Sequence, residues 1–294
     1  MRYFNKAIVK KRMSRRLLVN SIAKGMVFLS TLFCLLMLVL LIARVFSEGL
    51  GWINVEFLTG KLSTQVDQAG IMGAILGTFW LMVVVAPITF IVGVGTAIYL
   101  EWYAKAGRLK SFIQMNISNL AGVPSIVYGI LGLTVFVRTM ALGNIVLAGG
   151  LTMALLILPI VVVASQEAIR AVPQHLSEAS YGMGASKWQT IQNIVLPAAL
   201  PGILTGAILS LSRAIGETAP LVAIGIPALL IPFPGGIFDK FTVLPMQIYY
   251  WTLDASLEAE YANLAAATII VLLFLLVVLN SLAIIVRHKF QKQY

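Results

Sequence analysis

The sequence predicts an all-α integral membrane protein with six transmembrane helices. Three observations predict it. Hydrophobic residues make up 60% of the 294 and charged residues only 11%, whereas a soluble domain carries about 25% charged residues. The apolar residues fall in long charge-free windows: Gly25–Ala43, Gln68–Leu100, Ser111–Val137, Thr139–Gln166, Trp188–Ser212, Thr218–Phe238 and Tyr261–Val286. Each is near or above the ~20 residues that a helix needs to cross a bilayer. Finally, the lysines and arginines gather in alternate connecting segments.

Taken in order, residues 1–24 form a basic cytoplasmic arm. Residues 25–70 hold a first helix at about 26–46 and an outer loop with Glu48, Glu56 and Asp67. The window Gly25–Ala43 is longer than the 7–15-residue apolar core of a signal peptide, and no small-x-small site follows it, so it reads as a span. Residues 71–286 form the core, with helices at about 72–99, 113–137, 140–165, 198–222 and 262–286. A short basic loop, Glu101–Lys110, joins the first two of these, and a long inner loop covers 166–196. Residues 287–294 are a basic tail.

The window Thr218–Phe238 is excluded as a seventh span. It holds Pro220, Pro227, Pro232 and Pro234, which prevent a continuous helix. It reads as the end of the fifth helix followed by an irregular outer segment. With six spans and an inner N-terminus, sixteen basic residues lie inside and four outside (Arg44, Lys61, Arg138 and Lys240), with Arg213 within a span. That asymmetry satisfies the positive-inside rule and places both termini in the cytoplasm. Topology and contact with anionic lipid account for the net charge of +10, so no nucleic-acid partner is implied. Cys34 is the single cysteine, which excludes a disulfide framework. His175 and His288 have no other ligand type at metal-binding spacing.

The loop at 166–196 carries a pattern. Pro173 suits the start of a short helix through Tyr181, Gly182 and Gly184 end it, and Ser186 lies three before Gln189, a capping-box spacing. Trp188, Ile191 and Val195 fall on one face of the second helix at three- and four-residue spacing. The result is a helix-turn-helix at the inner membrane face. By its residues alone it serves either as an interfacial pair resting on headgroups or as a docking element.

Arg213 and Glu217 lie within the apolar fifth span, four residues apart on one helix face. A charge at the centre of a span costs roughly 2.5–3.5 kcal/mol. Arg213 is 16 residues beyond Pro197, or about 24 Å of helical rise, which places it past mid-bilayer. The pair is either a structural ion pair or part of an anion pathway. In the second case the arginine fork suits a tetrahedral oxyanion, Glu217 neutralises Arg213 when the path is empty, and Ser210, Ser212 and Thr218 add donors. Gly216 and Pro220 weaken the helix beside the pair.

Two resemblances sharpen both readings. The loop resembles the EAA motif of permease subunits of binding-protein-dependent ABC importers: Glu178, Ala179, Gly184, Ile194, Leu196 and Pro197 stand in its frame, with Ser180 in place of the second alanine. The run Arg213–Pro220 and the stretch Ala121–Gly129 resemble signatures of phosphate importer permeases, the Thr-Ala-Pro ending being of the PstA type. Together these cover the core from about residue 71 to 286.

The resemblance implies the transmembrane domain of a type I ABC importer, a five-helix core plus an N-terminal helix. It implies ATPase coupling through Glu178, Ala179, Tyr181 and Gly184, with Met183 beside them, and a substrate pathway through Arg213, Glu217, Ser210 and Thr218. The partners it implies are a second permease subunit (PstC-type), two copies of a cytoplasmic ATPase (PstB-type) and an extracytoplasmic phosphate-binding protein (PstS-type). No cofactor is expected on this chain; ATP and Mg are used by the partner ATPase. This agrees with the absence from the sequence of a Gly-x-x-x-x-Gly-Lys-Ser/Thr loop. Permeases for sulfate-like oxyanions share a related Arg-Ala-x-Gly-Glu run, so that cargo is the alternative. A secondary transporter would show inverted repeats with interrupted helices, which the sequence does not suggest.

Overall fold

The computed structural model describes residues 6–227 and 233–290, and its regular structure is helical throughout. Contacts divide the chain into two compact units, residues 1–48 and 49–294. The first is one long helix, α1 (Lys6–Gly49), which runs through the arm that the sequence sets apart from the span at 26–46. Within it, the Ser30 and Thr31 hydroxyls donate to the Val27 carbonyl oxygen, and Arg44 pairs with Glu48 at 2.8 Å.

In the second unit a short 3-10 turn, Leu50–Trp52, leads to α2 (Val55–Thr59), whose first turn is capped by Asn54, its Oδ1 accepting from the Phe57 N–H at 2.6 Å. Then come α3 (Met72–Ile98), α4 (Arg108–Leu120), α5 (Ser125–Gly132), α6 (Val146–Arg170), α7 (Gln174–Gly182), α8 (Lys187–Thr190), α9 (Leu196–Gly216), α10 (Ala219–Ile224), α11 (Leu244–Asp254) and α12 (Glu260–Phe290). Wide, π-type turns extend α3 through Tyr103 and α5 through Thr139, and join α8 to α9 over Ile191–Val195. Five helices among the described residues are long and apolar enough to cross a membrane, or six if a bent pair counts as one span.

That bent pair corrects the single helix expected at 113–137. The chain turns by 101° between α4 and α5. Pro124 has no N–H to continue the ladder and disfavours helical geometry at Val123. The Gly122 and Val123 N–H groups turn back to Asn119 and Leu120 instead. The Tyr128 hydroxyl donates to the Leu120 carbonyl at 2.8 Å and closes the bend. The helix expected at 198–222 is also two pieces, α9 and α10, interrupted at Glu217, whose φ of −79° and ψ of 124° are extended. The helix expected at 140–165 lies at Val146–Arg170, since residues 140–145 belong to the preceding connection.

Small residues set the packing. Gly93 faces Val161, and Gly202 and Gly206 face Ala168 and Ala164, which lets α3 and α9 close onto α6. Apolar side chains fill the space in three groups. Leu81, Val84, Met153 and Ile157 occupy the middle. Val94, Ala97, Ile169, Val195 and Ile203 lie towards the end that carries α7, hereafter the loop end. Phe57, Ile71, Trp251 and Leu264 lie at the other.

The segment after α10 is irregular, as its prolines require, and its residues 228–232 lie outside the described residues. Beyond them it is tied in tightly. The carbonyls of Asp239 and Ile237 accept from the Val146 and Leu147 N–H groups, satisfying the start of α6. Phe241 is fully buried against Gly149, and the Leu244 N–H donates to Thr78 Oγ1 at 3.1 Å.

Candidate functional site

The site has two halves. The first is where α9 ends. Arg213 Nε lies 3.3 Å from Glu217 Oε1. Their side chains are unequal, Arg213 being 58% exposed and Glu217 19%. Gly202, Leu209, Arg213 and Gly216 are the exposed residues of one helical face of α9. Glu217 stands at the break itself, so the pair bridges from the last helical turn to the extended residue that ends it. Thr218 is half-buried, and its carbonyl accepts from Leu221 and Val222 at the start of α10.

The break lets α10 fold against α5. A methyl group built on Gly129 would lie 2.6 Å from Ala223 Cβ and 2.7 Å from Pro220 Cα. Two segments far apart in sequence, Ala121–Gly129 and Arg213–Pro220, therefore meet, Gly129 and Pro220 being 91 residues apart. Ser210 does not join them. It is 3% exposed and donates to the Gly206 carbonyl at 2.7 Å, which satisfies its hydroxyl within α9. Ser212 Oγ lies 2.8 Å from the Ile208 carbonyl within α9 and also 2.5 Å from Asn280 Oδ1 of α12.

The second half is the loop at 166–196. Helix α7 starts after Pro173, and α8 begins at a capping box: Ser186 Oγ accepts from the Gln189 N–H, and Gln189 Oε1 accepts from the Ser186 N–H. Between them Gly184 has φ +84°, a left-handed conformation in which a side chain is strained. The two helices are joined inside the turn by Ser180 Oγ and Thr190 Oγ1, 2.9 Å apart and both buried. Glu178, Ala179, Tyr181 and Gly184 are exposed, and Met183 at the tip is 83% exposed.

The face expected for Trp188, Ile191 and Val195 is not formed. Ile191 and Val195 are buried, whereas Trp188 is 55% exposed. The second loop helix is also not separate from the span, because helix runs on from Lys187 to Gly216.

Sequence reasoning missed a polar cluster beside the loop. Glu101 Oε1 accepts from Arg170 Nη2 at 2.7 Å and from Gln166 Nε2 at 2.8 Å, and Arg170 Nη1 reaches Glu167 at 3.0 Å. Lys187 Nζ stands 4.9 Å from the centre of the Tyr103 ring, a cation–π contact between α8 and the turn after α3. Of these groups Glu101 and Arg170, together with Glu178, border a cleft of about 630 Å³ that Trp102, Pro173 and Val195 also line. No short-range spacing announces partners 65 and 69 residues apart.

Bent and broken spans packed around α6, with a two-helix loop at one end, define the transmembrane domain of a type I ABC importer. The fold is that of a bacterial ABC transporter involved in the import of the acidic polysaccharide alginate, with a TM-score of 0.65 over 97% of this chain and 99% of that one at 15% identity. The MetNI methionine ABC transporter in an inward-facing conformation matches with a TM-score of 0.60 over 76% and 96% at 18% identity. The chain belongs to the family described as "Binding-protein-dependent transport system inner membrane component", which matches residues 90–292. Its relatives include the phosphate transport system permease protein PstA 1 of Mycobacterium tuberculosis (strain ATCC 25618 / H37Rv), 38% identical over 71% of this chain and 69% of that protein. The phosphate transport system permease protein PstA of Mycobacterium leprae (strain TN) is 34% identical over 91% and 89%. The probable ABC transporter permease protein YqgI of Bacillus subtilis (strain 168) is 33% identical over 70% of each.

Proposed function

We propose that this chain is the PstA-type permease subunit of an ATP-driven importer of inorganic phosphate. The observation that carries the proposal is the Arg213–Glu217 pair, set at the break in α9 where α10 packs on α5. A guanidinium held by one carboxylate through a single 3.3 Å contact keeps donors for a second anion. The carboxylate limits how tightly that anion is held, which conduction requires. The relatives named as phosphate transport permeases supply the cargo.

In this reading the chain pairs with a second, PstC-type permease and receives phosphate from an extracytoplasmic PstS-type binding protein. The exposed tip formed by Glu178, Ala179, Tyr181, Met183 and Gly184 docks on one of two PstB-type ATPases, which use ATP and Mg. Both termini then lie in the cytoplasm. ATP-driven closure of the ATPases moves the loop and opens the pathway outward.

The test is binding-protein-dependent uptake of labelled phosphate by the assembled transporter in proteoliposomes, with sulfate as competitor. Arg213→Ala is expected to abolish uptake while the complex still assembles, and Arg213→Lys to impair it. Full uptake by Arg213→Ala would make the pair structural. Uptake of labelled sulfate at the phosphate rate would favour the wider oxyanion class.

A further inference from the structure

Helices α9 and α12 share a polar seam that the pathway reading leaves unused. Ser212 bonds Asn280, and Thr205 Oγ1 accepts from Arg287 Nη1 at 3.1 Å. The two rungs are seven residues apart on each helix and run in opposite directions, so they belong to one antiparallel register. The upper rung adjoins Arg213 directly. The lower one is about 10 Å nearer the loop end.

Arg287 is half-buried and its Nε is shut off from solvent without a hydrogen-bond partner among the described residues. The salt bridges of the described residues involve Arg44, Arg170 and Arg213 but not Arg287. A partly desolvated guanidinium without a counter-charge among the described residues is costly. Of its five donors one is spent on a neutral hydroxyl and the Nε–H is buried; the three remaining Nη donors suit two oxygens of a phosphate group.

We propose that Arg287, positioned by Thr205, is a second phosphate-binding station at the loop-end mouth of the α9–α12 seam. Its ligand is a phosphate oxyanion, from free inorganic phosphate leaving the pathway or from the phosphodiester of a lipid headgroup. The free-phosphate arm rests on the pathway reading above; the headgroup arm does not.

The experiment uses the assembled transporter in maltoside, stripped of phospholipid and free of nucleotide. Labelled inorganic phosphate is titrated into the wild type, Arg287→Gln and Arg287→Lys, each also in the Arg213→Ala background. Phosphatidylglycerol is titrated separately, with the thermal midpoint as readout. A loss of phosphate affinity of about tenfold or more in Arg287→Gln, smaller in Arg287→Lys, identifies a free-phosphate station. Unchanged phosphate binding, with loss of the phosphatidylglycerol-dependent rise in midpoint, identifies a headgroup station. If Arg287→Gln fails to assemble, Arg287→Lys, which keeps the charge but not the fork, gives the same reading. Variants that bind both ligands like the wild type overturn the proposal. Normal uptake by Arg213→Ala would remove the pathway reading and leave the Arg287 measurements to be read by themselves.

Discussion

Gly129 of α5 lies directly against Pro220 of α10, so close that a methyl group on it would sit 2.7 Å from the Pro220 Cα and carbonyl oxygen. This contact fixes how far α10 swings away from α9 and hence where Glu217 points. Gly129→Leu is expected to push α10 off α5, cost about 1–3 kcal/mol in overpacking and sharply reduce uptake. Gly129→Ala should show the same direction with smaller effect. Thermal unfolding and initial uptake rates measured together check both.

Glu217 is expected to work against tight binding by Arg213. Glu217→Gln removes the competing charge but keeps the shape. Its apparent KM for phosphate should fall, and its maximal uptake rate should fall with it, because release becomes slower. Initial rates across a phosphate series decide this; a raised KM with an unchanged maximal rate would count against it.

Gly184 has no atom within 4 Å of where a side chain would start, so its substitution meets backbone strain and not a clash within the chain. A bulky residue in the left-handed region costs about 1–2 kcal/mol, whereas asparagine tolerates it. Gly184→Trp should therefore leave the bundle folded, raise the ATP hydrolysed per phosphate imported and lower uptake. Gly184→Asn should stay near the wild type. Parallel ATPase and uptake assays in proteoliposomes measure the ratio.

Ser180 and Thr190 satisfy each other in a buried position. Ser180→Ala or Thr190→Val alone leaves one hydroxyl without its cross-helix partner, at a cost of about 1–3 kcal/mol. The double substitution removes both groups and should be less destabilising than the sum of the single ones. A double-mutant cycle on the thermal midpoint of the complex reads this directly.

The sequence makes the spans legible because lipid enforces a simple rule: charge-free windows of sufficient length must be helical. It also marks where helices weaken. Pro124, Gly216 and Pro220 stand at or beside the two breaks seen. What composition does not give is how far a weakened helix turns. The 101° bend depends on Tyr128 reaching back to Leu120, and the α9 break on Gly129 leaving room for Pro220. The Ser186 capping box is local and is found by spacing, as is the Arg213–Glu217 pair. The fate of Ser210 is not, because a span hydroxyl donates to its own helix as readily as it faces a path. The Glu101–Arg170 and Thr205–Arg287 bonds join different helices and follow only from packing.

The unbroken helical run from Lys187 to Gly216 has a mechanical consequence. The loop's second helix and Arg213 belong to one helical run, separated by about 39 Å of rise. Within that run the wide turn at Ile191–Val195 and Pro201 depart from regular helix, and the run ends at the extended residue Glu217. It ends where the charge pair begins, so tilting it changes the distance between Arg213 and the segment carrying its counter-charge. In the proposed reading, movement at the loop end would thus alter the electrostatic balance at the far end of the same run.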